Sequence, residues 1–264
     1  MKNDFNKKKF YCLVLAYCFF SLTVKAQERI VTTANVHAHN DYIHPVPFYT
    51  AYRAGFGSIE ADIFPVNGIL CVAHSKSGIQ PQRTLKSLYL DPLLQELKAD
   101  SSRRLKLLID IKENYEVSLH LLIGEVEPLS QYLTTPQRKR SLTILISGSR
   151  PSPAEYKNYP GYIFFDDDLK LRHTAEEWKR VGLVSLSFQR FSSWMGKDSL
   201  EQEDKRRIKH VIDSVHLAGK PIRFWAAPDN ERSWIMQIEF GVDLVGTDKI
   251  DEFANFLRSR AEKK

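Results

Sequence analysis

The chain has 264 residues, 43% hydrophobic and 27% charged, which is the balance of a globular protein long enough for one large core. Its formal charge of +6 gathers in no Lys/Arg run interleaved with aromatics, so no nucleic-acid surface is indicated. No long low-complexity tract or internal repeat is present, which sets fibrous and disordered classes aside.

The chain opens on a segment that reads as a secretory signal peptide, residues 1–26. Lys2, Lys7, Lys8 and Lys9 form a basic start. Residues 10–24 form an apolar stretch of 15, short of the roughly 20 that span a bilayer. Val24-Lys25-Ala26 supplies the small-residue pattern for cleavage before Gln27. Tyr17 precedes Cys18, where a lipoprotein site needs a small residue. The chain is therefore expected to be exported, periplasmic or secreted, with residues 27–264 as a single domain. The segment holds five of the 38 basic residues and one of the 32 acidic ones, leaving 33 and 31, a net +2. It also holds Cys12 and Cys18, so Cys71 remains alone and no internal disulfide is expected.

Residues 30–39 read as a first strand, running into His37-Ala38-His39-Asn40-Asp41-Tyr42. Pro45 and Pro47 mark a loop, and residues 48–54 a short helix closed by Gly55. Gly57-Ser58-Ile59-Glu60-Ala61-Asp62-Ile63-Phe64 is the second strand, and Asn67-Gly68 is a hairpin signal. Residues 69–73 return from it and end at His74. A loop over 80–88 precedes a helix that starts at Asp91-Pro92. Strands are then predicted at 105–112, 142–146, 162–165, 183–188, 221–226 and 242–245. Helices are predicted at 117–132, 175–181, 200–217, 231–240 and 250–261, from apolar spacing and glycine stops. Strands that alternate with helices argue a parallel sheet covered by helices. About eight such units in this length predict an α/β fold closed as a (β/α)8 TIM barrel.

In such a barrel the site lies at the C-terminal ends of the strands, and the polar residues fall there. His37 and His39 end strand one, Glu60 and Asp62 strand two, and Asp110 and Lys112 strand three. Each pair is spaced i, i+2 and shares a face. Two carboxylates that close repel unless a cation lies between them or one takes a proton, and a hard divalent ion with oxygen ligands meets that need. His74 follows the hairpin, Trp225 lies in strand seven, and Thr247-Asp248 follows strand eight. His120, His173, His210 and His216 fall on helices or linkers and read as structural. Asp166-Asp167-Asp168 reads as a solvated loop.

These residues resemble the glycerophosphodiester phosphodiesterase and phosphatidylinositol-specific phospholipase C superfamily of barrels. The resemblance rests on Gly57-Ser58-Ile59-Glu60-Ala61-Asp62, on His74 after the hairpin, and on Asp110-x-Lys112. Arg223-Phe224-Trp225 and Gly241-Val242-Asp243-Leu244-Val245-Gly246-Thr247-Asp248 complete it. His37-Ala38-His39-Asn40-Asp41-Tyr42 further resembles a branch of the superfamily typified by a fungal protein of altered mitochondrial inheritance. Two departures stand out. The family's His-Arg-Gly opening is here His39-Asn40-Asp41, and its usual third Glu ligand is Asp110, as in the sphingomyelinase D relatives.

The resemblance implies that Glu60, Asp62 and Asp110 hold one Mg²⁺ or Ca²⁺. It implies that His39 and His74 do acid–base work on a phosphodiester, with His37 in reserve, while Lys112 contacts a phosphate oxygen. Trp225 would line the substrate pocket. The expected enzyme is a metal-dependent phosphoric diester hydrolase for glycerophosphodiester or phospholipid-type substrates. Its expected partner is a small phosphodiester or phospholipid headgroup. Transient contact with a membrane surface stays open, nucleic acid is not expected, and a monomer is. Two rival expectations stand beside it. His37-x-His39 also resembles amidohydrolase-type and histidinol-phosphatase-type metal barrels, which need further histidines at later strand ends. A non-catalytic barrel binding a lipid headgroup or glycan is the other.

Overall fold

The computed structural model describes residues 31–262, and these form one compact unit. The expected signal peptide, Cys12, Cys18 and Ile30 lie outside the described residues. The barrel strands are β1 (Val36–Ala38), β2 (Ser58–Val66), β4 (Leu105–Ile111), β5 (Leu142–Gly148), β6 (Ile163–Asp167), β7 (Val181–Ser187), β8 (Ile222–Trp225) and β9 (Val245–Thr247). They run in the order β8-β7-β6-β5-β4-β2-β1-β9, and all pair in parallel. Arg223 of β8 bridges Leu244 just before β9 and closes the ring. β3 (Ile69–Val72) lies off the barrel, antiparallel to β2. Its hairpin turns at Asn67 and Gly68, both at positive φ, as a two-residue turn requires. The predicted (β/α)8 barrel is therefore what the chain forms.

The helices are α1 (Tyr49–Arg53), α2 (Asp91–Ala99), α3 (Tyr115–Glu125), α4 (Ala175–Lys179), α5 (Gln202–Leu217), α6 (Glu231–Phe240) and α7 (Ile250–Glu262). The predicted helix over 117–132 ends early, and a tighter turn over Glu127–Tyr132 follows it. Pro128 has no N–H to continue the α-helical ladder. The predicted loop over 80–88 ends in a wide helical turn, Lys86–Leu90, that runs straight into α2. The first strand is shorter than expected, because a capped turn at Thr33–Asn35 occupies its front half. The last strand starts later than expected, at Val245.

Register decides what faces inward. Glu60 pairs with Leu108, Leu108 with Leu145, and Leu145 with Phe164. Leu108, Leu145, Phe164, Leu183 and Leu244 form a small apolar cluster separate from the main core, a plug across the barrel interior. One layer toward the strand ends, Asp62 pairs with Asp110 and Asp110 with Ser147. One layer toward the strand starts, Ser58 pairs with Lys106 and Lys106 with Thr143. The plug thus divides an acidic upper mouth from a basic lower one. The main core lies between the other strand faces and the helices, with Ile59, Ile109, Ile144 and Phe253 fully buried in it.

Candidate active site

Glu60, Asp62 and Asp110 offer oxygens that all lie within 4.8 Å of one another. Asp62 and Asp110 sit side by side because β2 and β4 pair at those residues. Gly148, at φ +69°, lets Asp110 take its place: a Cβ there would meet Asp110 Oδ1 at 2.1 Å. A carboxylate set of this kind suits a hard divalent ion. Burial and the Glu60 charge push the Asp62 pKa up, against Lys112 and Tyr42. Burial is the larger cause and the neighbouring carboxylate the second.

Among the described residues, two lysine or arginine side chains pair with these three carboxylates. Lys112 Nζ lies 2.6 Å from Asp62 Oδ2 and also bonds Asp110 Oδ2. Burial opposes the Lys112 charge, but the two carboxylates outweigh it and raise its pKa. Arg223 is buried on β8 and donates to Glu60 Oε2 at 3.0 Å and to Ser185 Oγ at 3.0 Å. Burial would raise the Glu60 pKa, but the Arg223 charge and the His37 bond hold the carboxyl well below its usual value.

His37 is fully buried, with Nδ1 2.8 Å from Ser58 Oγ and Nε2 2.7 Å from Glu60 Oε2. Arg223 Nη1 presses on the same Nε2. Burial and the Arg223 charge bring its pKa down to about 4. Both ring nitrogens are engaged within the protein, so His37 positions Glu60 and has no nitrogen free to move a proton.

His39 and His74 differ from it. His39 lies just past β1, 41% of its side chain exposed, with Nδ1 2.6 Å from Asp248 Oδ1. A carboxylate can only accept, so Nδ1 carries the proton and Nε2 is left open. Burial works against the His39 charge, but the Asp248 bond together with the Glu60 and Asp248 charges raises its pKa. His74 is 71% exposed, with Nδ1 3.4 Å from Asp62 Oδ2 and 3.1 Å from the Tyr42 hydroxyl. That hydroxyl also lies 2.7 Å from Asp62 Oδ2 and 2.7 Å from Asn40 Oδ1. Each histidine is thus anchored through Nδ1, and neither Nε2 has a hydrogen-bond partner among the described residues.

A cavity of about 350 Å³ opens at this end of the barrel, lined by His39, Glu60, Asp110, Arg223 and Trp225 among others. Trp225 is 49% exposed there. The predicted solvated loop at 166–168 is corrected: Asp166 and Asp167 belong to β6 and are each 4% exposed. β6 extends past Phe165 because Asp166 and Asp167 pair with Leu183 and Val184. Asp167 faces His173 at 3.0 Å. Asp166 lines the cavity, and its Oδ1 has no hydrogen-bond partner among the described residues.

Burial pushes the Asp166 pKa up to about 7, against the Arg223 charge. Its folded value lies above the unfolded one, so the stability it allows is complete below about pH 4 and falls as pH rises through about 7. Asp166→Asn is expected to stabilise the protein at pH 8 by on the order of 2–4 kcal/mol, and by little at pH 4. Urea denaturation of both proteins across that range checks it; parallel pH profiles would rule it out.

The structure brings Glu60, Asp62, Asp110, Lys112, His39 and His74 to one mouth, with Trp225 on the cavity wall. Sequence reading missed Arg223, Asp166, Tyr42 and the pairing of Asp248 with His39. Arg223 was within reach, since it stands two before Trp225 and opposite Ser185, but a strand cation gives no sign of being buried.

The fold is that of the glycerophosphodiester phosphodiesterase barrels. A glycerophosphodiester phosphodiesterase from Parabacteroides distasonis superposes with a TM-score of 0.56 at 15% identity, covering 86% of this chain and 97% of that one. A phosphodiesterase from Oleispira antarctica, solved with the product sn-glycerol-3-phosphate, gives 0.52 at 13% identity over 85% and 95%. Residues 25–103 match the AIM6-like phosphodiesterase domain family. A homolog of altered inheritance of mitochondria protein 6 from Arthroderma benhamiae is 33% identical over 256 residues, 82% of this chain and 81% of that one. The Eremothecium gossypii protein is 28% identical over 283 residues, 89% and 72%. The chain belongs to the altered inheritance of mitochondria protein 6 family.

Proposed function

We propose that this protein is a metal-dependent phosphoric diester hydrolase acting on glycerophosphodiester or phospholipid-type substrates. The observation that carries the reading is the meeting, at one barrel mouth, of three carboxylates within 4.8 Å and two histidines held through Nδ1. Glu60, Asp62 and Asp110 would hold one Mg²⁺ or Ca²⁺. Such an ion, when bound, acts as a Lewis acid on phosphate oxygens.

Charge supports the fit. Glu60, Asp62 and Asp110 with the two cations in contact with them, Lys112 and Arg223, form a cluster with one negative charge in excess. A divalent ion turns this into one positive, which a monoanionic diester neutralises. The Lys112 ammonium, held at Asp62 and Asp110, stands where phosphate oxygens would arrive and stabilises charge that grows there. His39 and His74 divide the proton work. One takes the proton of the attacking hydroxyl through Nε2, and the other gives one to the leaving oxygen. Asp248 and Tyr42 hold the rings so that Nε2 faces the substrate. Trp225 offers an aromatic face to the alcohol portion. The protein is further read as exported and acting as a monomer.

Histidines at later strand ends, as the amidohydrolase-type rival needs, are absent from the described site. The reading is tested with bis(p-nitrophenyl) phosphate and glycerophosphodiesters in Mg²⁺, Ca²⁺ or EDTA. Diester turnover that falls at least about a hundredfold on chelation and returns with the ion is expected. Turnover indifferent to chelation would refute metal dependence, and no turnover of any diester would refute the hydrolase.

A further inference from the structure

The other end of the barrel carries a second cavity, of about 490 Å³. Arg104, Lys106, Lys139, Arg140, Lys179 and Lys220 line it, and no carboxylate does among the described residues. This is the face where strands begin, remote along the strands from the site above: Lys106 and Thr143 lie one register layer below the plug, and Asp110 and Ser147 one layer above it.

Some lysines and arginines elsewhere on the surface are paired with carboxylates. Lys86 meets Asp91, Lys209 meets Asp213, and Arg206 meets Glu203. In the lower cavity, Lys179 reaches Glu176 at 2.6 Å. Lys220 donates to the Val181 carbonyl at 2.8 Å and lies over the Trp178 ring. Arg104, Lys106, Lys139 and Arg140 make no ion pair or side-chain hydrogen bond with any described residue. Lys106 is half-buried inside the barrel end, and the counter-charge it feels is Asp243. Asp243 is itself engaged by His216 Nε2 at 2.7 Å and the Ile222 N–H at 2.9 Å.

Cations converging on a concavity repel one another and destabilise the fold unless an anion joins them. The lower face of such a barrel ordinarily serves stability, which this arrangement does not. The volume is that of a small-molecule pocket. The cations line a recess rather than a protruding face, and a planar lipid surface cannot enter a recess.

We propose that this lower cavity is a binding site for a small soluble ligand carrying two or more phosphate groups. The ligand's phosphates sit between the Arg104 and Arg140 guanidiniums and the Lys106 and Lys139 ammoniums. Guanidiniums grip phosphate oxygens in pairs, and ammoniums act as point charges. The site is independent of diester hydrolysis, and its test does not use activity.

Isothermal titration of the full chain with inorganic triphosphate, inorganic phosphate and phosphatidylserine vesicles decides the matter. Triphosphate is expected to bind one site at least about tenfold more tightly than phosphate. Lys139→Gln/Arg140→Gln, both near the surface and safe for folding, is expected to weaken triphosphate at least about tenfold. Lys139→Arg is expected to retain binding. Asp110→Asn, at the opposite mouth, is expected to retain it as well. No saturable binding of triphosphate, binding lost in Asp110→Asn but kept in the double variant, or binding to vesicles alone would each overturn the proposal.

Discussion

His74→Ala and His39→Ala each lower kcat/KM toward a phosphodiester by about 10²–10⁴, the range that a positioned proton donor or acceptor supplies. The loss is expected mainly in kcat, because neither ring is placed to hold the substrate alone. His74 is 71% exposed, so its removal leaves the core untouched and its stability within about 0.5 kcal/mol of the parent. The double variant is expected to lose less than the product of the two single losses, since a proton taken and a proton given belong to one displacement. Asp248→Asn keeps the shape of the partner at His39 Nδ1 but removes its charge. It is expected to slow turnover less than His39→Ala and to shift the pH–rate profile. Steady-state kinetics with a chromogenic diester, run with saturating Mg²⁺ or Ca²⁺, measure all four. Variants lacking both rings that turn over at the parent rate would remove the histidines from the mechanism.

Arg223→Met has the largest expected effect on stability. Arg223 is 5% exposed and lies against Glu60, His37 and Ser185. Its charge also bears on Asp166. Methionine fills much of the space and removes the charge, leaving Glu60 ionised in a buried site. Breaking a buried pair in this way costs about 3–5 kcal/mol, which in a domain of this size lowers Tm on the order of 10 °C. Arg223→Lys is expected to recover only part of the loss, because one ammonium cannot span Glu60 and Ser185 as a planar fork does. Removing the cation also makes the upper mouth more negative. Added Mg²⁺ or Ca²⁺ is then expected to raise Tm more in Arg223→Met than in the parent, by linkage. Calorimetry with and without the ion measures both effects. A variant as stable as the parent would show that Arg223 does not hold Glu60 in its charged form.

These outcomes depend on two kinds of information. The alternation of Glu60 with Asp62 and of Asp110 with Lys112 was legible in the chain, because side chains two apart on a strand share a face whatever the rest does. Eight apolar strands alternating with helices were legible for the same local reason, and they imply a barrel whose polar mouth lies at the strand ends. The pairs His37/His39, Glu60/Asp62 and Asp110/Lys112 could be placed at one mouth on that ground before any coordinates, and the family resemblance singled out the three acids. Other features depend on partners that spacing does not reveal. Asp248 reaches His39 across 209 positions of sequence, and Arg223 reaches Glu60 across 163. Asp166 and Asp167 looked solvated because a run of three acids ordinarily is, yet pairing with β7 buries the first two. His37 and His39 were alike in sequence, and only the pairing of β1 between β2 and β9 buries the first while leaving the second at the rim. The chain by itself determined its repeating elements and which acids share a face, because those follow from local geometry. The tertiary structure decided which charges are buried, which histidines keep a free nitrogen and that a basic cavity lies beneath the plug, because burial and pairing are set by register and closure between distant strands.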